Sequence, residues 1–231
     1  MKRIAFIPFA VLVAAATLAA QSTPPATQNP PAAQAPAVQA QRPPQPPLGP
    51  NQWRIDGSHS AANFSVRHNV VSTVRGQLGA ITGVIEYDGK DIHTVKADVA
   101  VDVAKINTQN ERRDNHLRSP DFFDVPNHPT MTFKSKRVEP GSAGRFKLIG
   151  DLTIRGNTKE VALDVEGPSP VVKTPRGALT GATATTKISR KEFGILWNNL
   201  VEAMPVVGDE VTITVDLELA RPALPGTTAA Q

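Results

Sequence analysis

Apolar and polar side chains alternate along several segments of this chain. In Val95–Val103 every second residue is valine or alanine, and the residues between them are mostly charged. Side chains of a β-strand point alternately to its two faces, so this pattern predicts a strand with one buried face. Further strands are expected at Ala62–His68, Thr73–Tyr87 (as one strand or as two divided near Gly79), Thr130–Val138, Arg145–Arg155, Val161–Glu166, Leu179–Ile188 and Val211–Leu219.

Turn residues separate these strands, for example at Asp88-Gly89, Pro140-Gly141 and Gly156-Asn157. Glycine, proline and asparagine favour the backbone conformations of tight turns. One-sided alternation is typical of antiparallel sheets with a solvated outer face. About eight such strands at hairpin spacing favour closure, so we expect an all-β, antiparallel β-barrel.

One helix is expected, between Thr108 and Arg118. Asn107 or Thr108 is expected to cap it, because Glu111 follows Thr108 by three residues as in a capping box. The helix carries one clear apolar anchor, Leu117, and an aromatic-rich segment follows it as far as Phe133. We therefore expect this short helix and the aromatic turn to cover one end of the barrel.

The sequence is compatible with two kinds of barrel interior, a filled lumen and a hollow one. The inward residues are mostly valine, alanine and isoleucine, and a barrel of about eight strands is either filled by its side chains or holds one small ligand. A strand as long as Val95–Val103 spans about 30 Å, which is long enough to enclose an alkyl chain. Periodicity alone leaves a filled and a hollow lumen open.

The first 50 residues lack this pattern. Met1-Lys2-Arg3 is basic and Ile4–Ala20 is uncharged, which is the organisation of a cleaved secretory signal peptide, so the protein is expected to be periplasmic or secreted. A retained anchor is the alternative, although this run is shorter than the roughly 20 residues that a bilayer requires. The expected domains are a signal peptide at 1–21, a disordered linker rich in proline, glutamine and alanine at 22–50, a barrel at 51–220 and a disordered tail at 221–231.

The amino-acid composition excludes several classes of function. The chain has no cysteine, which excludes disulfides, thiol catalysis and cysteine-ligated metals. Lys2, Arg3 and Arg42 precede the barrel, which leaves 22 basic residues against 21 acidic residues from residue 51 onward. Because nucleic-acid binding needs a basic surface, nucleic acid is not an expected partner.

Acid–base chemistry has one candidate segment, Arg113-Asp114-Asn115-His116. Residues two positions apart on a helix do not face each other, and no nucleophile motif accompanies the segment. We expect no catalytic residues and a protein that is not an enzyme, with Arg113 and Asp114 fixing the helix to the barrel. The five histidines show no metal-ligand spacing, so neither a metal nor another cofactor is expected.

Groups of residues along the whole domain form a further pattern. They are Trp53–Asp56 with His59-Ser60, Phe64–His68, Val74-Arg75-Gly76, Arg113–Ser119, Asp121–Val125, Pro129–Phe133, Gly150–Lys159 and Ile188–Gly194. In this order and spacing they resemble the YceI-like family, over nearly all of Trp53–Leu219. One departure is Leu78, which stands where the family often has phenylalanine.

The resemblance implies a lipocalin-like, exported barrel that holds a polyisoprenoid or another long amphipathic lipid in an elongated cavity. We accordingly expect the protein to sequester an isoprenoid quinone or a polyprenyl phosphate without transforming it. The expected ligand-lining residues are Phe64, Val66, Val99, Val101, Phe133, Leu152, Ile154, Phe193, Ile213 and Val215. The head-group candidates are His59, Arg67, Arg113 and His116.

Two rival functions remain at this point. One is a structural or interaction domain of the cell envelope with a filled barrel, and the other is an enzyme that acts on a lipid. Trp197 lies in a late loop with exposed apolar character, so peripheral contact with a membrane is left open, as is a homodimer.

Overall fold

The computed structural model of the protein describes residues 46–198, 200–201 and 204–223. The expected signal peptide at 1–21, most of the linker at 22–50 and most of the tail at 221–231 lie outside the described residues. Within these ranges no helix has both the length and the apolar character needed to cross a membrane.

Strands make up most of this part of the chain. They are β1 (Gln52–Ile55), β2 (Ala61–His68), β3 (Ser72–Glu86), β4 (Lys96–Asp102), β5 (Thr130–Pro140), β6 (Arg145–Ile154), β7 (Asn157–Glu166), β8 (Val172–Thr174), β9 (Gly177–Ser189), β10 (Leu200–Val201), β11 (Met204–Pro205) and β12 (Val207–Pro222). The helix α1 (Glu111–Arg118) lies between β4 and β5. Short 3-10 helices occupy Ile92–Thr94, Val103–Lys105 and Arg190–Phe193.

Eight of these strands close into an antiparallel barrel. The ladder runs from β2 through β3, β4, β5, β6, β7 and β9 to β12, which pairs with β2 again. β1 pairs with both β3 and β12 beyond the end of β2, and so extends the wall at that position. The all-β class, the antiparallel order and the closure of about eight strands are confirmed.

The alternation in the sequence determines which side chains enter the barrel. Val99 pairs with Phe133, and Phe133 pairs with Leu152, so these inward side chains form one row across β4, β5 and β6. Their neighbours Asp98 and Lys134 pair on the exposed outer face. Such cross-strand rows are the main side-chain contacts of a sheet, and each large apolar side chain that is buried stabilises the fold by roughly 1.5–3 kcal/mol.

β3 is a single strand, so the alternative of two strands divided near Gly79 is wrong. Gly79 lies instead at a β-bulge, where the pairing with β2 shifts between Ala62 and Asn63. Its φ is 147°, and an added Cβ would collide with the carbonyl oxygen of Asp102. Only glycine fits this position, so the residue that looked like a break is the one that lets the strand continue.

The helix begins three residues later than the sequence pattern predicts. Asn110 caps it by accepting a hydrogen bond from the amide of Arg113 at 3.0 Å. The prediction that Asn107 or Thr108 caps the helix is therefore wrong. Gln109 has a φ of 59°, a left-handed conformation that cannot be part of a right-handed helix, and the helix starts after it.

The two ends of the barrel differ. At the end that we call the helix end, α1 lies beside the β2–β3 turn, the β6–β7 turn and the segment that joins β9 to β12. The opposite end, the far end, contains the fully buried Trp53, whose indole donates a hydrogen bond to the carbonyl oxygen of Tyr87 at 2.8 Å. The expectation of one short helix near a barrel end is confirmed.

Candidate ligand-binding site

A long apolar cavity inside the barrel consists of two chambers. The larger one, the main chamber, has a cavity volume of about 120 Å³, which is below the roughly 300–1,000 Å³ that is typical of small-molecule sites. All eight barrel strands contribute to its lining, which is almost entirely aliphatic and aromatic. Of its lining residues, only Tyr87, Thr132 and Thr186 have polar side-chain atoms. The side chains therefore leave a narrow apolar cavity in the lumen.

The smaller chamber, the end chamber, lies at the helix end and has a cavity volume of about 80 Å³. Its lining is more aromatic than that of the main chamber, with Phe64, Phe122, Phe123 and Phe193 among its residues. Three side chains line both chambers and lie between them: Leu78, Met131 and Ile213. The chambers thus follow one another along the barrel as two apolar spaces divided by these side chains.

All ten residues expected to line a ligand lie on this cavity. Val99, Val101, Phe133, Leu152 and Val215 line the main chamber, Phe64, Val66, Ile154 and Phe193 line the end chamber, and Ile213 lines both. Period-two alternation places nine of them on the inner face of a strand, because it reports directly which face is inward, whereas Phe193 lies in a 3-10 helix. That a lipid contacts them stays a prediction.

Arg190 is the charged residue in the lining of the end chamber. It is only 4% exposed. Its guanidinium donates hydrogen bonds to the carbonyl oxygens of Gly208 at 2.9 Å, Ile195 at 2.8 Å, Trp197 at 2.8 Å and Val207 at 3.3 Å. Burial lowers the pKa of this guanidinium.

The charge of Arg190 has no carboxylate within salt-bridge distance among the described residues. Asp209, whose negative charge favours the protonated guanidinium, instead accepts hydrogen bonds from the hydroxyl of Ser189 at 2.9 Å and the amide of Lys191 at 3.3 Å. Buried charges in proteins are usually paired, because removing an ion from water is costly. In the case of Arg190, four backbone carbonyl oxygens take the place of a paired carboxylate.

Arg190 was not among the expected site residues, although the sequence carries a signal for it. Ala184, Thr186 and Ile188 face inward along β9, and continuing the alternation by one step places residue 190 on the same face. Arginine is rarely buried, and its four carbonyl partners lie in a segment without a regular pattern. Neither the burial of Arg190 nor its hydrogen-bond partners could be inferred from the neighbouring residues.

The four head-group candidates do not line either chamber. His59 lies on the outer surface, and Arg67 is exposed near the end of β2, where it donates a hydrogen bond to the hydroxyl of Thr73 at 3.0 Å. Arg113 donates hydrogen bonds to the hydroxyl and carbonyl oxygens of Thr108, at 2.7 and 2.9 Å. The structure brings Arg67, Arg113 and His116 to the helix end, and a role at a lipid head group stays a prediction for all four.

His116, Phe122 and Trp197 form an aromatic cluster at the helix end. The ring of His116 meets those of Phe122 and Trp197 edge-on, with centroids 5.0 and 4.8 Å apart. Phe122 lines the end chamber, so His116 is separated from it by one ring. Nε2 of His116 also lies 2.8 Å from a carboxylate oxygen of Asp121. The expected aromatic cover over one barrel end is observed, and this histidine–carboxylate pair was missed because it joins the helix to the following turn.

The structure also brings a histidine and two carboxylates together on the outer surface. Nδ1 of His59 lies 3.2 Å from Asp56 and 3.6 Å from Glu218 of β12. The backbone amide of Ser58 and the ring of His59 hold the pKa of Asp56 below its usual value, while Asp56 and then Glu218 raise the pKa of His59. These ion pairs fasten the β1–β2 connection to β12. The expectation that no metal binds stays a prediction.

A closed antiparallel barrel around an elongated apolar cavity is the architecture of proteins that enclose a hydrophobic ligand. Residues 53–219 match the YceI-like domain. The chain therefore belongs to the YceI-like family, as the motifs in its sequence indicated.

Individual relatives agree with this assignment. UPF0312 protein SA2479 of Staphylococcus aureus (strain N315) is 37% identical over 169 residues, covering 72% of this chain and 95% of that protein. The crystal structure of the Campylobacter jejuni YCEI protein superposes with a TM-score of 0.58 at 31% identity, covering 65% of this chain and 87% of the other. A polyisoprenoid binding domain from Saccharophagus degradans has the same fold, with a TM-score of 0.55 at 15% identity over 74% of this chain and 98% of the other.

Proposed function

We propose that the protein is exported and sequesters or carries one long-chain amphipathic lipid of the polyisoprenoid type, an isoprenoid quinone or a polyprenyl phosphate, without transforming it. The observation that carries this proposal is the pair of adjacent apolar chambers inside the barrel. The polyisoprenoid binding domain from Saccharophagus degradans, which shares the fold, supports the same class of ligand.

Burial of the lipid chain supplies the affinity. Each CH₂ group removed from water contributes about 0.8 kcal/mol, so several isoprene units offset the entropic cost of ordering the chain. The aliphatic wall of the main chamber has no charged residue to desolvate. It therefore selects for length and apolar character, and for little else.

The polar end of the lipid belongs beside Arg190. The end chamber has a buried arginine in its wall and aromatic faces, whereas the lining of the main chamber has no charged residue. A phosphate or a quinone oxygen near the guanidinium gains a charge-assisted hydrogen bond, which is roughly twice as strong as a neutral one. The chain then extends from the helix end toward the far end.

Export is supported by the sequence of the first 21 residues, with their basic start, uncharged run and small residues before Gln21. In the cell envelope, a lipid carrier has access to membranes that supply lipid and to an aqueous space across which the lipid is carried. Edman sequencing of the protein recovered from the envelope tests this part of the proposal. A start near residue 22 is expected, and a start at Met1 contradicts cleavage.

The enzyme alternative has one observation in its favour, the His116–Asp121 pair at 2.8 Å. An enzyme that used this pair would lose turnover in His116→Ala while keeping fold and lipid affinity. On our proposal the same variant changes stability or lipid affinity, and no lipid is converted by the wild-type protein.

Mass spectrometry of the co-purified lipid tests the proposed function most directly. Gently purified protein is extracted with organic solvent, and a long-chain isoprenoid is expected at close to one molecule per barrel. Delipidated protein should then take up added isoprenoid quinone or polyprenyl phosphate. Repeated absence of any long-chain lipid, together with no uptake, would favour the structural-domain alternative.

A further inference from the structure

The turn between β2 and β3 exposes two adjacent valines at the helix end. Val70 is 56% exposed and Val71 is 82% exposed. Asn69 and Val70 have φ values of 50° and 61°, a left-handed conformation that is common for asparagine and unfavourable for a β-branched residue. Arg67 holds this turn by donating a hydrogen bond to the carbonyl oxygen of Val70. The fold therefore maintains an exposed apolar tip at a conformational cost.

A third exposed aliphatic side chain lies at the same end. Leu196 is 67% exposed. The amide of Asn69 donates a hydrogen bond to the carbonyl oxygen of Val206 at 2.9 Å, and the amide of Val207 donates to the side chain of Asn198 at 3.1 Å. The β2–β3 turn and the 195–198 segment are thus both attached to the start of β12. We call the set Val70, Val71 and Leu196 the apolar rim.

The apolar rim lies next to the end chamber. Val66, at the end of β2, and Val207, at the start of β12, both line that chamber. They are also the strand residues that lead into the β2–β3 turn and follow the 195–198 segment. A surface that covers the apolar rim would therefore be adjacent to the cavity at the end where Arg190 lies.

The hairpin that carries the rim is basic. From Gly57 to Ile85 the sequence has no aspartate or glutamate, while Arg67, His68 and Arg75 lie on the two strands that lead to the turn. An uncharged apolar tip between basic strands matches the interface of an anionic bilayer, where aliphatic side chains enter the acyl boundary and arginine meets the lipid phosphates.

We propose that the apolar rim docks the protein on an anionic lipid bilayer and that lipid passes between bilayer and cavity at the helix end. This inference rests on the proposed function, since it describes how the cavity is loaded. A second copy of the chain is a poorer occupant, because a stable protein interface uses about 20–30 residues a side. Three separated side chains at a turn and a loop suit insertion into a fluid surface better than a flat contact.

Vesicle binding by the full chain tests the proposal. The double variant Val70→Asp/Val71→Asp places charge on the tip, and aspartate accepts the left-handed conformation more readily than valine does, so this variant is expected to fold. The matched control is Val172→Asp, because Val172 is 57% exposed on β8 at the far end. The wild type, the double variant and Val172→Asp have the same N-terminal segment, so any contribution of that segment to vesicle binding is the same in all three.

Two measurements separate docking from lipid binding. The first is co-flotation with vesicles of phosphatidylcholine, with and without phosphatidylglycerol. The second is uptake of isoprenoid quinone from detergent micelles, which needs the cavity but not the rim. We expect the double variant to bind phosphatidylglycerol vesicles at least about tenfold more weakly than wild type, because burying two valines is worth more than one tenfold step. Its uptake from micelles should be unchanged, and Val172→Asp should match wild type in both assays.

Other results would overturn the inference. Equal vesicle binding by wild type and the double variant would show that the rim does not dock. A dimer of the wild type that dissociates in the double variant, without a change in flotation, would assign the rim to a second copy. Failure of wild-type protein to take up quinone from micelles would instead contradict the proposed function, whatever the vesicle result.

Discussion

Asp114 accepts hydrogen bonds from both the amide nitrogen and the hydroxyl of Thr108, at 2.9 and 2.5 Å. Both residues are buried. The same hydroxyl accepts a hydrogen bond from the guanidinium of Arg113 at 2.7 Å, and the neighbouring Asn107 pairs with Gln77 of β3. These contacts join α1 to the barrel wall and confirm the structural role expected of Arg113 and Asp114.

Replacing Asp114 should therefore loosen the helix end. In Asp114→Ala two buried donors of Thr108 lose their acceptor, and the free energy of unfolding should fall by about 2–4 kcal/mol, since unsatisfied groups cost about 1–3 kcal/mol and charged bonds more. Denaturation with urea measures the change. Arg112→Ala, on the exposed face of α1, is the control and should stay within about 0.5 kcal/mol of wild type. Equal effects of the two variants would contradict this account.

A bulky residue inside the main chamber should block lipid uptake. Val101 faces the chamber, so Val101→Trp fills part of the volume that a chain would occupy. We expect at least about tenfold lower uptake of isoprenoid quinone, because the displaced methylenes each contribute about 0.8 kcal/mol. Ala100→Trp is the matched control, since its side chain points outward from the same strand. Unaltered uptake in a folded Val101→Trp protein would place the ligand elsewhere.

The charge of Arg190 should set a preference between lipids that differ only at the polar end. Wild-type protein is expected to bind polyprenyl phosphate more tightly than the polyprenol of equal length. In Arg190→Gln this preference should fall about tenfold or more, because a hydrogen bond to a charged group contributes about 1.5–3 kcal/mol. Comparing the two lipids in the same variant removes any general loss of stability.

Tyr87→Phe is the comparison at the far end, because Tyr87 is a polar residue in the lining of the main chamber there. This variant should keep the wild-type preference for the phosphate. If Tyr87→Phe loses the preference for the phosphate and Arg190→Gln keeps it, the polar end of the lipid lies at the far end of the barrel.

The Asp56–His59–Glu218 cluster should make the β1–β2 connection sensitive to pH. The pKa of His59 is raised by Asp56 and Glu218, so its contribution is complete below the ordinary value of about 6.5 and is lost as pH rises through the raised value. The pKa of Asp56 is lowered, so its contribution is present above about pH 3.9 and is lost as pH falls through the lowered value.

An NMR titration of the His59 ring checks this dependence. The midpoint should lie above 6.5 by a measurable margin in wild type, and it should fall in Asp56→Asn. Glu218→Gln should lower it less, because Asp56 is the larger cause of the raised pKa. A midpoint that is the same in all three proteins would show that the ion pairs do not form in solution.

The sequence was sufficient for the barrel and for most of its lining. Alternation depends on local strand geometry alone, so residues such as Val99 and Phe133 could be placed on the inner face without knowing the fold. The β12 pairing with β2 closes the ring, and it followed from the number of strands and their antiparallel order. Each of these inferences uses information carried by neighbouring residues.

Features that depend on distant parts of the chain could not be predicted. The partners of Arg190 lie in the loop before β12 and at the start of that strand, and the His59–Glu218 contact joins the two ends of the domain in sequence. The cap at Asn110 depended on the left-handed conformation of Gln109, which no spacing rule reveals. Gly79 was ambiguous for a related reason, because glycine marks both breaks and bulges.

Leu78, Met131 and Ile213 lie between the two chambers and line both of them. A lipid that fills both chambers can leave through the helix end only by sliding its tail between these three side chains. Release is then a threading process, in which each isoprene unit passes the same constriction in turn. The residence time of such a lipid would grow with the number of units beyond the passage, so that chain length determines how long a loaded barrel keeps its cargo.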